Sequence, residues 1–219
     1  MKKTIGTALL ALTPIAHAIE YREELAPPNV ALYVELQGTQ TDYDNLGGDD
    51  TGGFRLRLGL DLEDVKIGSW MLRAEGSLNQ FGETRKTTTS NLAPIPGVDP
   101  PEVDRIVVDE TNQLRLSGIE GGLRLYDNRF FYVRGGAFVY SLKKRREETR
   151  TEVDVNGDPV SPPSVLTPEE ETVSAIGPYL GAGVEIPLVE SVKAVAEYNI
   201  YQADGETLNN LSIGFRFSF

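Results

Sequence analysis

The side chains in this sequence that could carry chemistry are carboxylates and guanidinium groups, set at alternate positions along short runs. There is no cysteine and a single histidine, His17. Disulfides, thiol chemistry and Cys-bearing zinc or iron–sulfur sites are therefore excluded. Met1-Lys2-Lys3 is a basic n-region, residues 5–15 are apolar, and Ala16-His17-Ala18 is a small-x-small cleavage site. Together they predict a signal peptide over residues 1–18, cut after Ala18. Its apolar stretch falls short of the ~20 residues a spanning helix needs. Cleavage takes His17 with it, and most nucleophilic and general-base machinery relies on His or Cys near neutral pH. The mature chain is thus expected not to be an enzyme, with no catalytic residue and no cofactor. A carboxylate pair such as Glu185 and Glu197 is the remaining catalytic arrangement, and charge pairing is the better reading of both. Asp154-Val155-Asn156-Gly157-Asp158 starts like a calcium loop. Pro159, however, stands where the sixth position needs Gly, and Val165 where the twelfth needs a bidentate Glu. A hairpin turn at Asn156-Gly157 is expected instead, and no metal site.

The elements that position these groups alternate between apolar and polar residues, which is a strand signal. The runs are 30–37, 54–62, 70–81, 114–126, 130–142, 173–186, 192–201 and 211–219. In the fourth, Leu114 and Leu116 have the wrong parity for the apolar face of Ile119, Gly121, Leu123 and Leu125. That predicts a bulge near Gly118 or a start near Ser117. After residue 18 no apolar run reaches the ~18 residues of a membrane helix. The connections 63–69, 127–129 and 187–191 are short, whereas 42–53, 82–113, 143–172 and 202–209 are mostly longer. An even strand number, with short turns at one end and long loops at the other, is the pattern of a membrane β-barrel.

In such a barrel the apolar face looks at lipid and the polar face looks inward. The inward charges are Glu35, Arg55, Arg57, Asp61, Arg73, Glu75, Glu120, Arg124, Arg134, Glu185, Lys193, Glu197 and Arg216: seven basic and six acidic. The whole chain is at −12, and losing Lys2 and Lys3 would take it to −14. Near balance on one face of so acidic a chain points to enclosed pairing, because buried charges need partners. The acidity also argues against nucleic acid. Trp70, Phe131, Phe217 and Phe219 lie on the apolar face at one end and Phe54 at the other, as an interfacial girdle would. Tyr33, Tyr132 and Tyr179 point inward.

The terminal Leu211-x-Ile213-x-Phe215-x-Phe217-x-Phe219 resembles the assembly signal of bacterial outer-membrane β-barrels. Gly177-Pro178-Tyr179-Leu180-Gly181-Ala182-Gly183-Val184-Glu185 resembles strands of the small eight-stranded barrels related to outer-membrane proteins A and X. The resemblance covers residues 29–219 and departs from the two-domain members, since the chain ends at its eighth strand. It implies insertion into the bacterial outer membrane through the barrel-assembly machinery. It implies no single activity, since members include adhesins, structural proteins and a few enzymes. The enzymes of such barrels resemble one another in using an active-site His.

The fold expected is therefore all-β: a closed, eight-stranded antiparallel transmembrane β-barrel over residues 29–219, after a short periplasmic segment at 19–28. Arg85 and Lys86 above the third strand, and Lys143, Lys144, Arg145 and Arg146 above the fifth, are placed to meet outer-leaflet headgroups, including lipopolysaccharide phosphates. Thr84, Thr87, Thr88 and Thr89, then Ile106-Val107-Val108 and residues 147–155, suggest strands continuing beyond the membrane. Such hairpins could reach a surface ligand by strand addition. The expected role is structural or adhesin-like surface interaction, with the lumen plugged by charged side chains. The alternative is a narrow porin-like channel for small polar solutes.

Overall fold

The computed structural model describes residues 30–94, 102–127 and 130–219. The expected signal peptide and the segment 19–28 lie outside the described residues. The alternating runs become nine strands: β1 (Val30–Asp42), β2 (Thr51–Ile67), β3 (Trp70–Leu92), β4 (Arg105–Tyr126), β5 (Phe131–Val153), β6 (Ser164–Val165), β7 (Glu169–Val189), β8 (Val192–Ala203) and β9 (Glu206–Ser218). Eight of them close a ring in the order β1-β2-β3-β4-β5-β7-β8-β9. β9 returns to β1 from Tyr33↔Ser218 to Asp42↔Asn209, antiparallel like every other pair. The two-residue β6 is an annex on β5 outside the ring.

The ring is apolar outside and polar inside. Leu58, Ile119, Val139, Ile176, Leu180 and Ile213 are each more than half exposed, whereas Arg55, Arg57 and Arg124 are fully buried. Among the described residues no helix is long and apolar enough to cross a membrane. Closure instead lets backbone groups pair strand to strand, as hydrocarbon requires. Phe54 is exposed at the outer end of this surface, and Phe131, Phe217 and Phe219 at the other. The Phe219 amide donates to the Leu32 carbonyl at 2.9 Å, carrying the closing seam to the last residue.

The parity break expected near Gly118 belongs to a different strand. β4 pairs with β5 without interruption from Arg105↔Val153 to Tyr126↔Tyr132. The register slips on β3, between Gln80 and Glu83, where Gly82 takes φ +94°. Below the slip the inward residues of β3 are odd (Arg73, Glu75, Ser77, Asn79, Phe81), and above it Thr84 is buried. A bulge carries one extra residue and so exchanges the two faces of its strand. Leu114 and Leu116 therefore share the inward parity of Glu120 and Arg124, and both are buried.

The connections also differ from expectation at three places, one being the expected 187–191, which shortens to Glu190-Ser191. β2 runs on to Ile67 past an irregularity between Leu62 and Lys66, so its turn to β3 shortens to Gly68-Ser69. The connection expected over 202–209 is a two-residue hairpin, because β8 and β9 pair up to Ala203↔Glu206. Asp204 at φ 54° and Gly205 at φ 82° form its turn, the left-handed pair that a tight hairpin favours. Four strands continue past the ring: β3 pairs with β4 up to Leu92↔Ile106, β4 with β5 up to Arg105↔Val153, and β5 with β7 up to Arg146↔Glu169. β3, β4 and β5 form the tall part of a flap above the barrel, and β7 joins its base. A Cβ on Gly205 would meet no atom within 4 Å, so only its positive φ constrains it. Gly205→Ala is expected to cost about 1–2 kcal/mol, read as a lowered urea midpoint of the folded barrel in detergent.

Candidate functional site

All eight ring strands aim at least one charge into the lumen. Of the thirteen charges expected there, all but Asp61 and Lys193 are buried, and those two are half-buried. Glu197 on β8 is the most shared. It accepts from Arg55 Nη1 at 2.8 Å, Arg57 Nη2 at 2.9 Å, Arg134 Nη1 at 2.9 Å and the Tyr132 hydroxyl at 2.7 Å. Arg57 also reaches Glu35 at 2.6 Å. Arg124 donates to Glu35 at 2.8 Å and to Glu185 at 2.6 Å, and its Nε lies 2.9 Å from Glu75 as an ion pair. Arg134 joins Glu75 and, at 2.7 Å, Glu120. Nearer the mouth at the short-turn end, Arg73 and Arg216 share Asp61 and Glu185, and Lys193 stands 3.4 Å from Glu185.

Tyrosine rings pack between these charges. The guanidinium of Arg216 lies 3.9 Å from the Tyr33 ring centre, Arg124 4.1 Å from Tyr132 and Arg134 4.6 Å from Tyr179. Such cation–π contacts are strongest where water is excluded. Tyr33 pairs across strands with Gly59, and a Cβ there would sit 2.1 Å from the ring. The glycine is the gap that lets the ring lie flat on the wall.

The outer half of the lumen is filled differently, in a way the alternating pattern alone did not single out. Tyr43, Phe81, Leu114, Leu116, Phe138, Tyr140, Leu142, Tyr179, Tyr201, Ala203 and Leu208 form one buried apolar cluster. Phe81 meets Phe138 and Tyr201 edge-on at 5.4 and 5.0 Å. Tyr201 ties the cap to the charges below: its hydroxyl donates to Glu120 at 2.5 Å and accepts from Arg55 at 2.5 Å. The first outer loop closes over the cluster. Asn45 donates to the Thr207 carbonyl at 2.8 Å, and the Asp49 amide donates to Thr84 at 2.9 Å.

The six basic residues expected at the outer rim do not form one group. Lys86, Lys144 and Arg146 have the parity that faces the barrel mouth. Lys144 is bound by Asp204, Lys86 lies 3.5 Å from Asp49 and Arg146 2.8 Å from Glu110. Arg145, on the other face, is held by Glu147 at 2.5 Å and Glu170 at 3.5 Å. Arg85 and Lys143 are exposed on that same outward face. Glu110 is held below the usual glutamate range, first by the Asn112 amide and then by Arg146. That contribution is present at neutral pH and is lost as pH falls through the lowered value. The loop at Asn156-Gly157 turns on itself: the Asp154 carboxylate accepts the backbone amides of Asn156 and Asp158 at 2.8 and 2.9 Å. Among the described residues no group of His, Cys, Asp and Glu is arranged to hold a metal.

Removing one member of an enclosed network strands the others, at a cost of about 3–5 kcal/mol. Glu197→Gln is expected to lower stability by that order in urea unfolding. Glu148→Gln, which frees the exposed Arg150, is expected to change it by less than about 1 kcal/mol.

Compared with known proteins, the chain matches the family model described as outer membrane protein beta-barrel domain over residues 6–219. No significant match is found among curated protein sequences. Among solved structures it is similar to Ail, the attachment invasion locus protein of Yersinia pestis, in complex with the heparin analogue sucrose octasulfate. The identity is 12% and the TM-score 0.42, over 87% of this chain and 97% of that one. It is similar to Neisserial surface protein A at 10% identity and TM-score 0.34, over 87% and 97% of the two chains. The N-terminal β-barrel domain of Pseudomonas aeruginosa OprF gives 9% and 0.34, over 85% and 97%.

Proposed function

We propose, for a chain that belongs to the outer membrane protein beta-barrel domain family and lies in the bacterial outer membrane, that it is a closed, non-catalytic barrel serving surface interaction. The observation that carries this reading is the filled lumen: an arginine–carboxylate network in the inner half and an aromatic cap in the outer half. Eight strands leave an interior just wide enough for side chains, and here those side chains occupy it. The channel alternative needs a water path through both layers. The lumenal carboxylates are bound by arginines, so none is placed as a free acid or base. What remains to act is the flap, whose edges and faces stand outside the membrane and could take an extended segment of a surface ligand. The charge network serves as the plug, the outward basic residues meet phosphorylated headgroups including lipopolysaccharide, and residues 1–18 and 19–28 act as leader and periplasmic segment.

The C-terminal residues Leu211, Ile213, Phe215, Phe217 and Phe219 are all exposed to the lipid side and support recognition by the barrel-assembly machinery. Their strand closes the ring, and an open edge before closure is an aggregation hazard. Phe219 lies beyond the last residue of β9. Its deletion is expected to impair assembly in cells while detergent refolding stays near normal; equal loss in both assays would remove the signal role.

Planar-bilayer recording tests the closed barrel. No steady conductance is expected from the purified protein, and a porin-like current would overturn the reading. Cells displaying the barrel are expected to bind an extracellular surface through the flap. Shortening β3–β5 beyond the ring should abolish that binding while the barrel still shows heat-modifiable mobility.

A further inference from the structure

The outward faces of β3, β4 and β5 change character within two residue pairs. The row Leu78–Ile119–Val139 is apolar and exposed. The next outward row is Gln80–Ser117–Ser141, and the one above it is Glu83–Arg115–Lys143. Arg115 and Lys143 are directly opposed in register and both exposed. Like charges placed so are destabilising without a counter-charge. Arg85 is exposed one row higher, opposite Gln113. Lys86, Lys144, Arg145, Arg146 and Arg150 each have a carboxylate within 4.0 Å. Arg85, Arg115 and Lys143 have none among the described residues. With its amide turned so that the oxygen faces Arg115, Gln80 accepts from Arg115 Nε and Nη2 at 3.3 Å. A surface depression of about 260 Å³ lies among Arg115, Lys143 and Arg145, bordered also by Glu83, Glu170 and Glu171.

Below these cations the wall is shallow. Gly76, Gly121 and Ala137 are adjacent across the three strands, and a Cβ on Gly121 would meet nothing within 4 Å. Six residues separate Gly121 from Arg115. At ~3.4 Å per residue and a strand tilt of ~40°, that is about 16 Å along the membrane normal. Half of the ~25 Å apolar band of such barrels is about 12 Å. Taking Gly121, between the exposed Ile119 and Leu123, as the midplane puts Arg115 and Lys143 just above the hydrocarbon.

We propose that Arg85, Arg115 and Lys143 form a site on the outer wall for the phosphate of an outer-leaflet lipid whose acyl chain lies over Gly76, Gly121 and Ala137. This rests on the outer-membrane orientation of the proposed function and narrows its headgroup contacts to three residues. Glu83 stands opposite Arg115 in register but makes no ion pair with it, so phosphate supplies the close anion these cations lack, and charge-assisted bonds to guanidinium are its strongest recognition. The trough selects a lipid over a free anion.

Native mass spectrometry of the detergent-folded protein tests the site with dioctanoyl phosphatidic acid, dioctanoylglycerol and inorganic phosphate. Phosphatidic acid is expected to bind at least about tenfold more tightly than either other probe, and R85Q/R115Q/K143Q to lose about tenfold. K86Q/K144Q/R146Q, whose cations already have acids, is expected to keep wild-type binding. Gly121→Leu fills the trough and is expected to weaken the lipid alone. Unchanged binding by the folded triple variant would overturn the proposal, as would equal binding of inorganic phosphate, which would mark a free-anion site. Heat-modifiable mobility reports folding; if the triple variant fails it, Arg115→Gln alone carries the test. Loss of this site would leave the closed barrel and flap untouched, since neither conductance nor surface binding is read.

Discussion

A charged side chain inside an eight-stranded ring can turn only toward another side chain, and the rest of this structure depends on that. An isolated ion taken from water costs several kcal/mol even after relaxation, so each lumenal arginine requires carboxylates and each carboxylate arginines. The pairing fills space and also sets position. Glu197 on β8 reaches Arg55 and Arg57 on β2 and Arg134 on β5, strands that are not neighbours in the ring. A one-residue slip of any of them would turn its charge into lipid. The network is therefore a register lock for the whole ring as well as a plug.

That constraint is why much of the fold was legible from sequence. Between its bulges each ring strand keeps period-two alternation, because lipid on one side and packed charge on the other both punish a misplaced residue. Glu120 and Arg124 on β4, or Arg55 and Arg57 on β2, sit an even number of residues apart, so each pair shares a face whatever the strand ends turn out to be. The near balance of inward charge was readable for the same reason.

What escaped was local or depended on height along the barrel. The bulge at Phe81-Gly82 exchanges faces on β3, yet its trace in sequence was a parity conflict at Leu114 and Leu116, and alternation within one strand cannot say which partner carries the extra residue. The aromatic cap hid because Phe138 and Tyr140 follow the same inward parity as Arg134; parity gives the direction of a side chain but not its depth. In the sequence the hairpin at Asp204-Gly205 looks like a longer loop because Gln202, Thr207 and Asn209 are polar. In the structure they continue paired strands above the apolar belt, where an outward polar residue no longer signals a turn.

Height also explains how one basic cluster separates into different environments. On β5, Lys143, Lys144, Arg145 and Arg146 are consecutive, so alternation sends them to opposite faces. Lys144 and Arg146 turn toward the mouth, where the 204–205 turn and β4 supply Asp204 and Glu110. Arg145 turns outward but stands high enough to meet Glu170 on β7. Lys143 turns outward one row lower, where its register partners are Arg115 and Thr172. No carboxylate lies within ion-pair distance of it among the described residues, and the next outward residues below are Ser141 and Val139. In the proposed lipid site, a cation at that height gains most from an anion that the membrane supplies. The boundary between paired and unpaired charge on this wall would then follow the lipid surface.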